Sequence, residues 1–280
     1  MATPLVEAQA GDTYVLGTAA AEEQRLGVQH KLWLPFAEDA WRRAGLSTGQ
    51  RVLDLGAGPG FVSLELARQV GPGGRVLGLE LSPAYGETAR RSAADAGLSQ
   101  LEVRTHDLCC DPLPAETFDL IWCRWVAMFL PALEPLLDQL AARLQPGAQL
   151  LIHEYVHWST FALHPRGEAV RRFAAAVLAS FAAAGGDPDV NRRLPSLLAA
   201  RGFRIEALRP LSLLGRPGDA VASWLESFVV IYGEELIRQG LWTEEEAAAV
   251  AAEIAAAGQD PGAYWMAPTV LELQATRWDP

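Results

Sequence analysis

The sequence predicts an α/β fold, a mostly parallel β-sheet with helices on both faces, and three observations carry that prediction. Short apolar runs of strand length alternate with helical patterns through residues 51–153, the mark of repeated βα units whose right-handed crossovers make the strands parallel. At the start of this region Val52 to Leu55 read as a buried strand, run straight into glycines at 56, 58 and 60, and meet a helical pattern at Phe61. Finally, 280 residues, 50% of them hydrophobic, bury a full core as one α/β domain with a substantial appendage more readily than as two independent domains.

Taken in order, residues 1–18 read as irregular, ending in Asp12-Thr-Tyr-Val-Leu-Gly-Thr18. From Ala19 to Gly45 the period is helical, with Leu26, Trp33, Ala37, Ala40, Trp41 and Ala44 on one stripe. Pro35 predicts two helices here, because proline suits a first helical turn and breaks a helix interior. The first strand is 51–55 and its helix 61–70; Gly71-Pro-Gly-Gly74 turns the chain into a second strand, 75–80. Ser82 caps a helix that opens at Pro83 and ends at Gly97. Strands follow at 101–105 and 118–123, then a helix at 133–144, a turn at Pro146-Gly147, and a fifth strand at 149–153.

The second half changes character. Residues 159–200 are mostly helical and alanine-rich, broken at Gly185-Gly186-Asp187-Pro188, with a short helix at 194–200. A sixth strand is expected at 202–208, helices at 219–239 and 243–257, the latter opened by a Thr243/Glu246 capping box, and a last strand at 268–277. The expected divisions are a helical cap (1–45), a core (46–158), a helical insertion (159–200) and a segment completing the sheet with a further helical insertion (201–280).

Composition limits the function. A net charge of −11 without a basic cluster argues against nucleic acid, whose phosphates need a concentrated positive surface. No run of 18 or more apolar residues appears, and the N-terminus, with Glu7 and Asp12, does not read as a signal peptide, so a cytoplasmic location without a membrane partner is expected. Cys109, Cys110 and Cys123 form no C-x-x-C pair, so neither a disulfide framework nor a metal site is expected.

The glycine spacing narrows the ligand. A dinucleotide fold would place G-x-G-x-x-G with glycine at position 61, where this chain has Phe61; what stands here is D-x-G-x-G-x-G, led by Asp54. This resembles the first motif of the class I S-adenosylmethionine-dependent methyltransferases. Leu144-Gln-Pro-Gly-Ala-Gln-Leu-Leu-Ile-His153 looks like the family's L-x-P-G-G-x-L segment, with Ala148 replacing the second glycine. The resemblance covers residues 45–155 well and the last two strands loosely. It implies a Rossmann-like seven-stranded sheet whose last strand is antiparallel, with an N-terminal helical cap and a helical insertion after strand five.

It also implies a site. The glycine loop (Gly56, Ala57, Gly58) and Asp54 would cradle S-adenosylmethionine, leaving S-adenosylhomocysteine as product. Glu80, with Leu81 beside it, would accept from the ribose hydroxyls; Asp107 and the Leu108 backbone would meet the adenine; Cys123 and Arg124 would offer a backbone carbonyl to the methionine ammonium. Such carboxylates suit a ligand bearing sulfonium and ammonium charges. In the cap, Tyr14, Arg25 or Gln29 would reach inward over the cofactor.

The reaction implied is in-line transfer of a methyl group to a small, apolar or aromatic metabolite, driven largely by alignment in a dry pocket. If a general base is needed, His153 and His157, just past the fifth strand, are the candidates by type; His106 ranks lower beside Asp107. A histidine fixing the fold is the plain alternative for each. Trp125, Met128, Phe129, Trp158, Phe161, Trp224, Phe228, Tyr232 and Trp265 would divide between pocket and core. The competing readings are an NAD-dependent oxidoreductase, a non-catalytic S-adenosylmethionine-binding protein and, from the cysteines, a metalloid methyltransferase. Substrate identity, acceptor atom and oligomeric state stay open.

Overall fold

The computed structural model describes residues 20–278. Tyr14, the expected lid residue, lies outside the described residues. The chain begins with α1 (Ala20–Arg43) and then lays down β1 (Arg51–Leu55), α2 (Phe61–Val70), β2 (Arg75–Glu80), α3 (Pro83–Asp95) and β3 (Leu101–Thr105). It continues through β4 (Leu120–Arg124), α4 (Glu134–Arg143), β5 (Gln149–His157), β6 (Ala162–His164), α5 (Glu168–Ala183) and α6 (Leu194–Ala199). Last come β7 (Phe203–Leu211), β8 (Leu214–Gly215), α7 (Ala220–Arg238), α8 (Glu244–Ala257), β9 (Tyr264–Met266) and β10 (Thr269–Arg277).

Seven strands form the main sheet in the order β3-β2-β1-β4-β5-β10-β7. Strands β1 to β5 pair in parallel, and β10 inserts antiparallel to both β5 and β7. From β1 the chain runs outward to β3, then returns to place β4 on the other side of β1. That reversal opens a crevice at the C-terminal ends of β1 and β4, where α/β sheets bind ligands.

The period-2 alternation of the central strands explains the two apolar layers. Val52, Val76, Leu120, Trp122 and Leu151 face Trp41 of α1 and Leu66 of α2. Their neighbours Leu53, Leu77, Ile121, Leu150 and Ile152 face the larger layer under α4 to α7. Ser82 caps α3 by accepting from the Tyr85 amide, and the Thr243/Glu246 capping box opens α8 as expected. Among the described residues no helix is long and apolar enough to cross a membrane.

Three expectations need correction. Pro35 does not divide the first helical stretch: α1 is one helix of 24 residues with the proline inside. The ring forfeits the bond to the residue 31 carbonyl, but Trp33, Ala37, Ala40 and Trp41 are all buried, and packing on both sides of the proline keeps one axis. The fifth strand runs to His157 rather than stopping at 153, because β10 pairs with it as far as Thr269 opposite His157. Within the segment read as helical, β6 joins β8 and β9 in a small separate sheet.

Candidate active site

The crevice at the sheet reversal is a cleft of about 1300 Å³, open to solvent. Its floor is the loop after β1. Gly56, Gly58 and Gly60 all take positive φ (69°, 56° and 89°), the conformation glycine adopts without penalty. The reasons for glycine differ along the loop. A Cβ on Gly56 would collide with the Val126 side chain, and one on Gly60 would come within 2.6 Å of Ala89 Cβ. A Cβ on Gly58 would meet nothing within 4 Å: Gly58 lines the cleft. Packing explains two glycines; free approach to the loop backbone explains the third.

Carboxylates ring this floor. Glu80, at the end of β2, accepts from the Gly58 amide (2.7 Å) and the Ser82 amide (2.8 Å). Burial pushes its carboxyl above the ordinary range, against those backbone bonds. Asp54 is 2% exposed, accepts from Ser63 Oγ at 2.5 Å, and is raised to about 7, chiefly by burial. Asp107 is placed by its turn, accepting from the Cys109 amide at 2.8 Å.

On the other side of the cleft Arg124 ends β4, and burial lowers it to about 10. Its Nη2 lies 3.5 Å from His30 Nδ1 on α1, and its Nη1 has no partner among the described residues. The next residue, Trp125, is held at φ 54°, a conformation unusual for a bulky side chain. Glu154 fixes the turn that follows, accepting from the Val126 (2.5 Å) and Ala127 (2.7 Å) amides. Val126 in turn packs on Gly56. The loops after β1 and β4 are thus locked together across the reversal.

Residues 52–147 match the model of a methyltransferase domain. This stretch is a methyltransferase domain of the kind found in S-adenosylmethionine-dependent methyltransferases. Over 138 residues, 49% of this chain and 62% of the other, it is 34% identical to the aklanonic acid methyltransferase DauC of Streptomyces sp. (strain C5). Over 130 residues, 46% of this chain and 50% of the other, it is 29% identical to the ubiquinone/menaquinone biosynthesis C-methyltransferase UbiE of Pseudomonas syringae pv. syringae (strain B728a). The chain therefore spans about half to three-fifths of these relatives' lengths. In fold it is similar to a geranyl diphosphate methyltransferase solved with GPP and sinefungin, with a TM-score of 0.56 at 16% identity, covering 89% of this chain and 80% of the other. The family's cofactor is S-adenosylmethionine, and the cleft fits a ligand carrying sulfonium and ammonium charges: an open backbone cradle at Gly58 with the buried carboxylates of Asp54 and Glu80 beside it.

Asp54, Gly56, Ala57, Gly58, Glu80, Leu81, Asp107, Leu108 and Arg124 all line the methyltransferase cleft. Cys123 does not. Its side chain is 3% exposed within the larger apolar layer, because alternation along β4 turns it away from the cleft-facing neighbours Trp122 and Arg124.

Both candidate bases also fall elsewhere. His153 is inside β5 and fully buried, its Nε2 3.2 Å from Glu272 on β10. Burial holds its imidazole below the ordinary range despite that carboxylate. His157 is exposed at the strand end beside Arg192 (3.3 Å). The longer strand explains both placements: it carries 153 into the sheet and 157 beyond the cleft. The histidines that do line the cleft are His30 and His106, and burial lowers both, His30 to about 4. His30 stacks on Phe61 (5.6 Å) and had no signal in sequence beyond its place on a helix.

A second cavity adjoins the first, bounded by aromatic side chains including Trp125, Trp158, Phe161, Trp224 and Phe228. Met128 and Phe129 belong to it as well, whereas Tyr232 and Trp265 pack in the apolar layer. Leu26, Gln29, Trp125 and Phe129 border both spaces.

Proposed function

We propose that this chain is an S-adenosylmethionine-dependent methyltransferase that methylates a small, apolar or aromatic molecule held in the aromatic chamber. The observation that carries the proposal is continuity: the chamber shares four wall residues, Leu26, Gln29, Trp125 and Phe129, with the cofactor cleft. The bound cofactor supplies an already activated methyl group on sulfonium sulfur. The backbone from Gly56 to Gly58 would lie against it, Glu80 would accept from the ribose hydroxyls, and Asp107, Leu108 and Leu81 would meet the adenine. Asp54 and the Arg124 end of β4 serve the amino acid end.

No histidine acts as base in this proposal. His153 and His157 lie outside both cavities, and the lowered basicity of His30 and His106 leaves them weak proton acceptors at neutral pH. What the protein contributes is alignment and exclusion of water by an apolar wall, with α1 as the shared partition. We keep residues 1–45 as a cap, of which 1–19 with Tyr14 lie outside the described residues, residues 46–158 as the core, 159–200 as a helical insertion contributing to the chamber, and 201–280 as the segment that completes the sheet with a further helical insertion. Nucleic acid and membrane are not partners in this reading, and the location is cytoplasmic.

The test is transfer of a trideuterated methyl group from labelled S-adenosylmethionine to a panel of bicyclic phenols, carboxylic acids and amines, read by mass. A gain of 17 mass units, replacing hydrogen by CD3, on panel members of one acceptor type supports the reading. Cofactor binding with no transfer to any member favours the non-catalytic alternative.

A further inference from the structure

Resting on that reading, the structure assigns Gln29 as the hydrogen-bond donor that orients the methyl acceptor, and the substrate as an apolar molecule with an accepting oxygen at that point. Gln29 lies on α1, is 7% exposed, and lines both the cofactor cleft and the chamber. Its amide orientation is forced. Arg25 Nη1 lies 2.8 Å from Gln29 Oε1, and Trp224 Nε1 lies 3.2 Å from the same atom. Guanidinium and indole nitrogens are donors with no accepting capacity, so the atom they share must be the oxygen. The amide NH2 group is thereby fixed on the opposite side.

No acceptor among the described residues engages that NH2 group, and Gln29 Nε2 is not among the sealed, unpartnered polar atoms. It is a free donor with access to the cavity at the junction of the two spaces. The chamber's sealed polar atoms without a partner, the indole N–H groups of Trp125 and Trp158, are donors too. Arg25 adds little net charge there, because Glu22 binds it through two hydrogen bonds of 2.7 Å each. A wall that offers donors and little charge selects an acceptor oxygen on an apolar frame, as a carbonyl or an oxyanion. An ammonium or a bare hydrocarbon would leave the Gln29 amide desolvated and unpaired.

Three bicyclic probes separate these outcomes: 2-acetylnaphthalene, its isostere 2-isopropenylnaphthalene with CH2 in place of oxygen, and 2-naphthoate. Their binding is measured by equilibrium dialysis, with and without S-adenosylhomocysteine, on the full chain and on Gln29→Glu. Gln29→Glu keeps an oxygen for Arg25 and Trp224 and replaces the donor facing the cavity by an acceptor that carries negative charge. The wild type should prefer 2-acetylnaphthalene over the isopropenyl compound by about tenfold, the worth of one neutral hydrogen bond. The variant should lose that preference and bind 2-naphthoate most weakly of the three, with its thermal midpoint reporting that it is folded. Equal binding of the isosteres by the wild type overturns the assignment, as does an unchanged preference in the folded variant or failure of all three to bind. Failure of S-adenosylhomocysteine to bind the wild type would instead overturn the cofactor reading, and the preference measured without it would still judge Gln29.

Discussion

Gly56 and Gly58 sit two residues apart with similar positive φ, yet they answer to different constraints. Gly56→Ala meets both the backbone cost and the Val126 side chain, and should destabilise by about 2–4 kcal/mol, partly relieved by adding Val126→Ala. Gly58→Ala finds open space and should cost about 1 kcal/mol, yet weaken cofactor binding the more, since its methyl enters the cleft. Thermal melts and calorimetry on the two variants check the crossover; equal effects on both readouts would refute it.

Asp54 makes a second prediction at this scale. Burial raises its carboxyl to about 7, so the empty protein holds the proton near neutrality while a cationic ligand favours the ionised form. Cofactor affinity should therefore rise with pH through 7 and level off above it. Well below 7 the fall approaches tenfold per pH unit, with one proton released on binding. Titrations in buffers of different ionisation enthalpy measure that release. For the empty protein the linkage to stability has the opposite sign. Asp54 and Glu154 (raised to about 8) bind protons more tightly folded than unfolded, so their contribution is full in acid and is lost as pH climbs through 7 to 8.

At the scale of elements, α1 is tied to the sheet by a polar cluster. Glu272 on β10 accepts from His153 on β5 (3.2 Å) and from Arg43 on α1 (2.5 Å), while Asp39 on α1 binds Arg43 and Arg209, each at 2.9 Å. Burial would raise Glu272, but His153 and Arg43 together hold it below the ordinary range, and His153 is itself lowered by burial. Both groups resist protonation when folded. Their stabilisation is present above the unfolded His and Glu values and is lost as pH falls below about 6 and then below about 4. Glu272→Ala leaves Arg43 short of a buried partner and should cost about 3 kcal/mol, seen as a lowered thermal midpoint at pH 7. A loss under 1 kcal/mol would show that α1 is held by its apolar stripe alone.

These elements also show how far sequence reaches. The strand, glycine and acid pattern from Asp54 to Glu80 was legible because it depends on local turn chemistry and on register within single βα units. The placement of His153 was not, because β5 continues past 153 only through its pairing with β10, more than a hundred residues later. Glu154 follows directly on the expected strand 149–153, and nothing local shows that one of its oxygens accepts from two amides of the β4 loop. Pro35 followed local propensity, and tertiary packing of α1 outweighed it. Gln29 was legible as an inward-facing candidate, but the direction of its amide depends on Trp224, 195 residues away.

At the scale of the whole molecule, the sheet reversal creates the cleft, and α1 with the helices beyond β5 closes an aromatic chamber against it. The central claim is that this cleft takes S-adenosylmethionine. Calorimetric titration with S-adenosylmethionine and S-adenosylhomocysteine, with NAD as control and Gly58→Arg as a blocked cleft, tests it most directly. The account predicts dissociation constants on the order of micromolar for both sulfur compounds, no heat with NAD, and binding lost in the folded variant. Heat with NAD alone, or no binding of either sulfur compound by folded wild-type protein, would contradict it.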